Sequence, residues 1–517
     1  MSSKVLSAYE CDTYSDARSL NGGHDFIFVR GCSKLGDGGE GLFMWIPGDT
    51  AEDDGGTILR PATTPTGNWR RVYEQIINVR WFGARGDGTN QTAAINAAID
   101  VANNPESYFE GMTVLFPAGN YVVDSLAPIA RDGTHLRGAG VDASVIQFAP
   151  TSDPASCVTF ATRSTAGAYS DLYNCSIRDL AFAASGDTGR QKIAIDAYVT
   201  SGLLVENVVV TLWTGGGNAC PSMAIRTNGH EMTTIRKAFL WADRPISIEI
   251  NPRDRTIDAD HFHFQDLNLK PLLDEESCIA IASTVHMNNF TLDGTNAFGG
   301  GLHGIKFVDT SPDPASCNYI NISNIRREES CGPGYTIMFG LWGRQMLNVS
   351  IKNVAADLQP ARGFYFRNVR VLTLENSTYP GTDVALDMDG ALDQGGNAGQ
   401  GCWDVALLNT FFQTGSIISA PNMVRVLGLQ RYNTAAAPFM WFDTTTDLSP
   451  VGISLGGNFA KGTLVGFVNI VTGVGQPTGS FPGDLPVGSL YLNQAGGAGA
   501  TLFVKEGTGS PGGWKEK

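Results

Sequence analysis

Asp196, Arg226 and Glu249 occupy one place in three successive copies of a short motif, IAID, MAIR and ISIE, in which apolar residues alternate with outward ones. If the copies stack as parallel strands about 4.8 Å apart, the two carboxylates stand two rungs, about 9.6 Å, from each other. That is within reach of the separation that leaves room for a water between a general acid and a general base, as in an inverting glycosidase. Arg226 between them would hold a substrate carboxylate or keep one acid ionised. The competing reading uses the same side chains as a surface ladder of salt bridges. The same position continues downstream as Ala282, Val308, Met338, Arg367 and Asp387.

Other polar concentrations lie beside this column. NIRREESCGPGY places Arg326, Arg327, Glu328 and Glu329 in a loop on the same face. Two acids next to two bases would supply a proton donor of raised pKa, with Arg327 on the substrate. Solvated charge is the alternative. Trp213 and Trp241 follow the third strands of successive coils and offer apolar faces for sugar rings, or else for loop packing. DHFHF alternates so that Phe262 and Phe264 point inward and His261 and His263 outward. Nothing in the chain asks for a metal or another cofactor.

The elements that must position these residues show up as repeats. The IxIx strand recurs as IAIA, IKFV, YTIM, FYFR and VALD, alternating with strands that end in Asn or Asp before a second short strand. Asp179, Asn207, Asp266, Asn324, Asn353, Asn376 and Asn409 are these turn residues, and adjacent coils repeat every 23 to 33 residues or so. That period suits a β-solenoid of three strands per coil. Asn and Asp tolerate the positive φ of a sharp bend, and stacked amides can bond along the ladder, so these seven are structural and not catalytic. The fold expected is all-β, a right-handed parallel β-helix, its hand following from general chirality.

Composition agrees. The 517 residues include 62 Gly and 24 Pro with only 17% charged residues, which favours short strands and tight turns. A net charge of −15 disfavours nucleic acid and anionic membranes, both of which draw on clustered cations. The nine cysteines form no CxxC pair and read as free, mostly buried thiols from a reducing cytoplasm. The N-terminus carries no signal-peptide pattern, so work outside the cell would require another exit, such as lysis.

WFGARGDGTNQTAAINAAIDVA, Trp81 to Ala102, invites a nucleotide or adhesion reading. Its glycines at 83, 86 and 88 have the wrong spacing for a dinucleotide loop. The stretch reads instead as a turn feeding a helix near 91–102, capped by Thr89 or Asn90. Its stripe of Ile95, Ala98, Ile99 and Ala102 would seal the open end of the first coil.

INVRWFGARGDGTNQTAAINAAID, GMTVLFPAGNYVV and GTHLRGAGVDASVIQF together resemble the pectate-lyase-like start of bacteriophage tailspike depolymerases. VRGCSKLGDGGEGLFMWIPGDTAEDDGGTI with GNWRR is similar to the small module preceding that β-helix. VGSLYLNQAGGAGATLFVKEGTGSPGGW resembles a glycine-rich terminal module of tail proteins. The organisation expected is an N-terminal attachment module over 1–78, a β-helix over 79–435, and a C-terminal module over 436–517 for trimerisation or carbohydrate binding.

The resemblance implies a homotrimeric tailspike on the virion tail, made in the host cytoplasm, joined to other tail or baseplate proteins through its N-terminus. It implies cleavage of a capsular or O-antigen polysaccharide at the cell surface. Hydrolysis by an acid pair is the first reading, with Asp196, Glu249, Glu328 and Glu329 as candidates. β-Elimination at a uronic acid and a non-catalytic receptor-binding spike are the rivals.

Overall fold

The computed structural model describes residues 8–63, 66–104 and 111–153, then the strands and short turns between residues 155 and 516 but not most of the segments joining them. The chain separates into two compact units, Met1–Asp243 and Arg244–Lys517.

The first unit opens with a five-stranded sheet in the order Ala8–Cys11, Phe26–Val29, Gly41–Pro47, Gly67–Arg71, Ile58–Leu59. Tyr14, Ile27, Val29, Phe43 and Trp69 fill its core. Arg71 is buried there, donating to the carbonyls of Gly39 at 2.8 Å, Glu40 at 2.9 Å and Gly56 at 3.0 Å. Its guanidinium also lies over the rings of Phe43 and Trp81 at 4.5 and 4.3 Å. Those carbonyls meet the need of a buried cation for compensating partners.

The joint that follows is a turn, as its glycines suggest. Gly83, Gly86 and Gly88 have φ of 96°, 70° and 82°. A Cβ on Gly86 would lie 2.7 Å from the Gly119 Cα, so the close approach requires glycine twice over. The helix spans Thr92–Asn103 and buries the expected stripe of Ile95, Ala98, Ile99 and Ala102. Its N-cap, however, is Gln91, not Thr89 or Asn90. The Gln91 amide is turned back to the turn, accepting from the Gly86 N–H at 3.0 Å and donating to Asp87 at 2.7 Å. Asn90, one residue outside the cap, accepts from the Thr92 N–H at 3.0 Å. Asn96 and Asn103 tie the helix down by accepting from the Ala127 and Ala130 N–H groups at 2.7 and 2.9 Å.

Parallel coils follow. In the first unit Ala155–Phe160, Lys192–Ala197 and Met223–Thr227 stack as one sheet, while Ser176–Ala184, Leu204–Trp213 and Glu231–Ala242 stack as another. In the second unit Arg244–Ile250, Ser277–Ser283, His303–Asp309, Tyr335–Gly340, Arg362–Arg367 and Val384–Asp389 pair in sequence, with Ile417–Ala420 and Met440–Phe442 beyond them. Ala259–Gln265, Met287–Ala297, Cys317–Arg327, Met346–Ala356, Val369–Glu375 and Trp403–Leu408 form the accompanying stack. These are the coils of a right-handed parallel β-helix. Buried Ile, Leu and Phe from successive strands fill the interior, among them Ile279, Ile305, Ile337 and Phe364 in one register. Each contributes roughly 1.5–3 kcal/mol by leaving water.

The strands of the second stack bend at left-handed residues; Ser176–Ala184, Leu204–Trp213, Cys317–Arg327 and Met346–Ala356 run through the bend, whereas the strand stops just before Asp266 and just before Asn376. Asp179, Asn207, Asp266, Asn324, Asn353 and Asn376 have φ between 49° and 58°, as the turn reading requires; Asn409 lies outside the described residues. The amides do bond along the column: Asn207 donates to Asp179 at 2.8 Å, Asn353 to Asn324 at 3.0 Å, and Asn324 to Asp293 at 2.6 Å. Lys237 (φ 52°) and Gly294 (φ 66°) take the same place in their coils, a substitution the Asn/Asp pattern hid.

A second left-handed column escaped the sequence pattern. It runs Asn174, Gly202, Met232 in the first unit and His261, Asn289, Tyr319, Asn348, Val371 in the second, all with φ between 51° and 73°. Met232, Tyr319 and Val371 are exposed. Phe262 and Phe264 are buried while His261 and His263 face solvent, matching the DHFHF alternation. Cys11, Cys157, Cys175 and Cys278 are buried and outside any disulfide, as is the partly buried Cys32. At the far end, Ile470–Gly473, Leu490–Asn493, Leu502–Lys505 and Trp514–Glu516 form a four-stranded sheet around Tyr491 and Phe503. Among the described residues no helix is long and apolar enough to cross a membrane.

The left-handed conformation costs an ordinary L-residue roughly 1–2 kcal/mol and a β-branched one at least as much. Replacing Val371 with Asn, the residue at the equivalent corner one coil earlier, is therefore expected to raise the thermal midpoint, by about 1 kcal/mol in stability. Asn324→Val should lower it, because it adds strain and removes two amide bonds. A lower midpoint for Val371→Asn would show that contacts of the Val371 side chain outweigh its backbone strain.

Candidate functional site

The column expected to carry chemistry is partly realised. Asp196 and Arg226 are paired in register on neighbouring strands of the first unit. Arg226 donates to the Asp196 carboxylate through Nε at 2.9 Å and Nη2 at 2.7 Å, and Ser156 Oγ donates at 2.8 Å from the preceding strand. Asp196 is itself buried. Two charge-assisted bonds in fork geometry orient both partners and leave Asp196 little freedom to meet a substrate, so the ladder reading gains weight here.

Glu249 falls in the second unit, and its surroundings differ. About 40% of its side chain is exposed; Ser247 Oγ donates to it at 2.9 Å, and Arg244 Nη1 lies 3.9 Å away. The same Arg244 grips Glu276 with two bonds, at 2.7 and 3.1 Å. Strand Arg244–Ile250 pairs with Ser277–Ser283, so Glu276 is presented from the next coil, one residue before its strand. Two carboxylates from successive coils thus bracket one guanidinium. Glu276 went unnoticed in the sequence because it precedes the IxIx motif and does not lie within it.

Further along, Tyr335, Arg362 and Asp387 form a second polar group. The Tyr335 hydroxyl donates to Asp387 at 2.8 Å, and Arg362 donates to that hydroxyl at 3.2 Å. Burial, reinforced by Asp387, pushes the Tyr335 hydroxyl up to about 12. His303 stacks on Tyr335, and its Nδ1 accepts from the Tyr335 backbone N–H at 2.9 Å. Burial, with the cations Lys306 and Arg327 nearby, lowers its pKa to about 4.

Other expected site residues are placed differently. Trp213 is fully buried with its ring stacked 5.8 Å from Phe148, so no face remains for a sugar. Trp241 is half-buried and tilted against Phe239. Arg327 is 3% exposed, donates to the Leu302 carbonyl at 3.2 Å, and closes the end of a strand inside the coil; it is not a surface ligand. Glu328 and Glu329 lie outside the described residues. The downstream column also needs a shift of two residues: Val308 pairs with Gly340, not Met338, and Arg367 with Asp389, not Asp387. YTIM begins earlier in its strand than IAIA does, and a slip of two preserves the facing, so periodicity alone did not reveal it. Among the described residues no cluster of His, Cys, Asp and Glu could hold a metal ion.

A cleft of about 1070 Å³ in the first unit is lined by Arg70, Tyr73, Glu74, Ile76, Asp100 and neighbours. It sits beside the helix and the first coil and brings no paired carboxylates to stacked strands.

Comparison with known proteins gives this arrangement a context. Residues 10–74 match the model of a phage tail protein small four-stranded beta-sheet domain, and residues 76–237 match the Rhamnogalacturonase A/epimerase, pectate lyase-like model. The tailspike gp42 of Acinetobacter phage vb_AbaP_AS12 shares the fold with a TM-score of 0.54 at 11% identity, over 90% of this chain and 80% of that one. The likeness to that structure is one of fold, a parallel β-helix. Two curated relatives are similar over shorter spans. The capsule K3-specific Depolymerase 1 of Klebsiella phage KP32 is 35% identical over 103 residues, 17% of this chain and 11% of its own length. The mannuronan C5-epimerase AlgE4 of Azotobacter vinelandii is 32% identical over 155 residues, 27% of each chain. The chain spans only a minor part of the length of either curated relative.

Two outcomes follow from this geometry. Arg226→Met should cost about 2 kcal/mol, less than a fully buried pair because its side chain is a third exposed, while leaving any polysaccharide-cleaving activity near wild type. A large loss of turnover in a folded variant would return Asp196 to the catalytic candidates and Arg226 to substrate binding. For His303, the folded state stays neutral down to about pH 4, whereas the unfolded chain binds a proton below about 6.5. Stability should therefore fall as pH drops from about 6.5 to 4. His303→Asn, which keeps an acceptor for the Tyr335 N–H, should flatten that stretch of the urea-unfolding profile; an unchanged slope would contradict the assignment.

Proposed function

We propose that this chain is a tailspike depolymerase that binds a bacterial surface polysaccharide and cuts it by glycosidic hydrolysis, with Glu249 and Glu276 as the acid pair. The observation that carries the reading is the pair of carboxylates from successive coils bracketing Arg244 on the outward sheet. Glu249, held by Ser247 and open to solvent, suits the group that exchanges a proton with the glycosidic oxygen or water. Glu276 is as buried and as firmly gripped as Asp196, but its arginine also approaches the exposed Glu249, and that shared guanidinium is what nominates it as the second carboxylate that hydrolysis requires. Relatives whose names specify capsule and mannuronan support a polysaccharide substrate. The tail-domain match at residues 10–74 supports attachment to the virion through the N-terminus, and a homotrimer would cover the flanks a solenoid leaves open.

β-Elimination stays the rival chemistry. It needs a base on an α-proton, and Tyr335 is poorly suited near neutral pH, since its hydroxyl already donates to Asp387 and is pushed up to about 12 by burial.

The test uses purified protein with a panel of Klebsiella and Acinetobacter capsular polysaccharides and mannuronan. Hydrolysis predicts a fall in chain length on size exclusion and new reducing ends without a rise in ultraviolet absorbance. Glu249→Gln and Glu276→Gln should each lose at least ~100-fold activity. Unsaturated products would establish elimination, binding without shortening would make the protein a receptor-binding spike, and full activity in both variants would move the acids elsewhere.

A further inference from the structure

One outward column of the second unit can be followed without a break through six coils: Ser247, Ala280, Lys306, Met338, Tyr365 and Asp387 are paired in register. Rungs about 4.8 Å apart put Lys306 about 9.6 Å from Ser247, whose hydroxyl holds Glu249, and the same distance from Tyr365 on the other side. This column is taken as a track along the strands: Ala280 is short, and Met338 is apolar and adaptable.

Two features of this track point to a ligand. Lys306 makes no ion pair among the described residues, although the protein carries a net charge of −15. Its field is felt locally, since it helps hold the neighbouring His303 neutral. Tyr365 is half-buried, its ring 5.2 Å from Tyr335 and tilted by 44°. Tyr335 in turn is fixed by Asp387 and Arg362, with the guanidinium 5.5 Å above its ring. A tyrosine braced in this way offers a rigid face at low entropic cost.

We infer that this track is an extended subsite for an acidic polysaccharide, in which Lys306 takes the carboxylate of a uronic acid unit and Tyr365 stacks on a sugar further along. The inference rests on the proposed polysaccharide function and adds the substrate class. A polyanion approaching a protein of net negative charge is repelled unless a cation stands at the point of contact, and Lys306 occupies the middle of the track. Two rungs on either side match roughly the length of a disaccharide, so a chain lying along the column would reach from Glu249 to Tyr365 while its acidic unit meets Lys306. The assignment holds for hydrolysis and for elimination alike, because it concerns binding.

Binding is measured by affinity electrophoresis with full-length Glu249→Gln protein, so that turnover does not enter. The probes are mannuronan, acidic and neutral Klebsiella and Acinetobacter capsular polysaccharides, and the same acidic polymers after carboxyl reduction, which makes each uronate a neutral hexose with its linkages intact. The expected result is retention by at least one acidic polymer, a loss of about tenfold on carboxyl reduction, and an equal loss in Lys306→Met, which should no longer distinguish native from reduced polymer. Lys306→Arg should restore binding, and Tyr365→Ala should weaken native and reduced polymers equally. Retention of neutral polymers alone, no retention of any acidic polymer, or a Lys306→Met variant that still discriminates overturns the inference. If Glu249→Gln proves fully active while the Lys306 pattern holds, the hydrolytic assignment fails and the substrate class stands.

Discussion

In each coil the backbone must change direction within one residue while the strands on both sides keep their ladder bonds, and that forces a left-handed conformation at the corner. Everything outward of the core depends on this bend. It decides which residues stack on which, and hence which side chains share a rung on the face where chemistry is proposed. Where Asn or Asp fills the corner the strain is small and the amide also bonds to its neighbour, as between Asn353 and Asn324. Where Lys237, Tyr319 or Val371 fills it, the strain is carried by the packing of the whole coil.

Stacking then turns a sequence period into a charge pattern. Neighbouring rungs are close enough for side chains of adjacent coils to meet, so the outer face sorts into local groups: Asp196 with Arg226, Arg244 with Glu249 and Glu276, and Tyr335 with Arg362 and Asp387. The first is closed, with the fork of Arg226 spent on a buried carboxylate. The second is open on one side, where Glu249 faces solvent. That contrast separates carboxylates that brace a coil, Asp196 and Glu276, from Glu249, which solvent reaches, and it comes from burial and not from residue type.

Much of the scaffold was legible beforehand because its signals are local. The glycines of the 83–88 turn, the apolar stripe from Ile95 to Ala102, the inward phenylalanines of DHFHF and the six described Asn/Asp corners each depend on a few adjacent residues. The second left-handed column was invisible because Met232, Tyr319 and Val371 have no preference for that conformation; only neighbouring coils hold them there. The two readings of Trp213 stayed open in the sequence for a related reason: a large aromatic at a strand end has the same sequence appearance whether it faces solvent or stacks on Phe148.

What the sequence determined by itself is the period, the facing of alternate residues and the residues able to bend, since a strand's side chains alternate whatever lies beside it. The register between coils, the burial of Arg327 and Trp213, and the meeting of Glu249 with Glu276 through Arg244 were decided only by the tertiary structure. These depend on how far each strand slides against its neighbour. A slide of two residues leaves every apolar side chain facing inward, so the sequence pattern is blind to it, while the partners on the outer face all change.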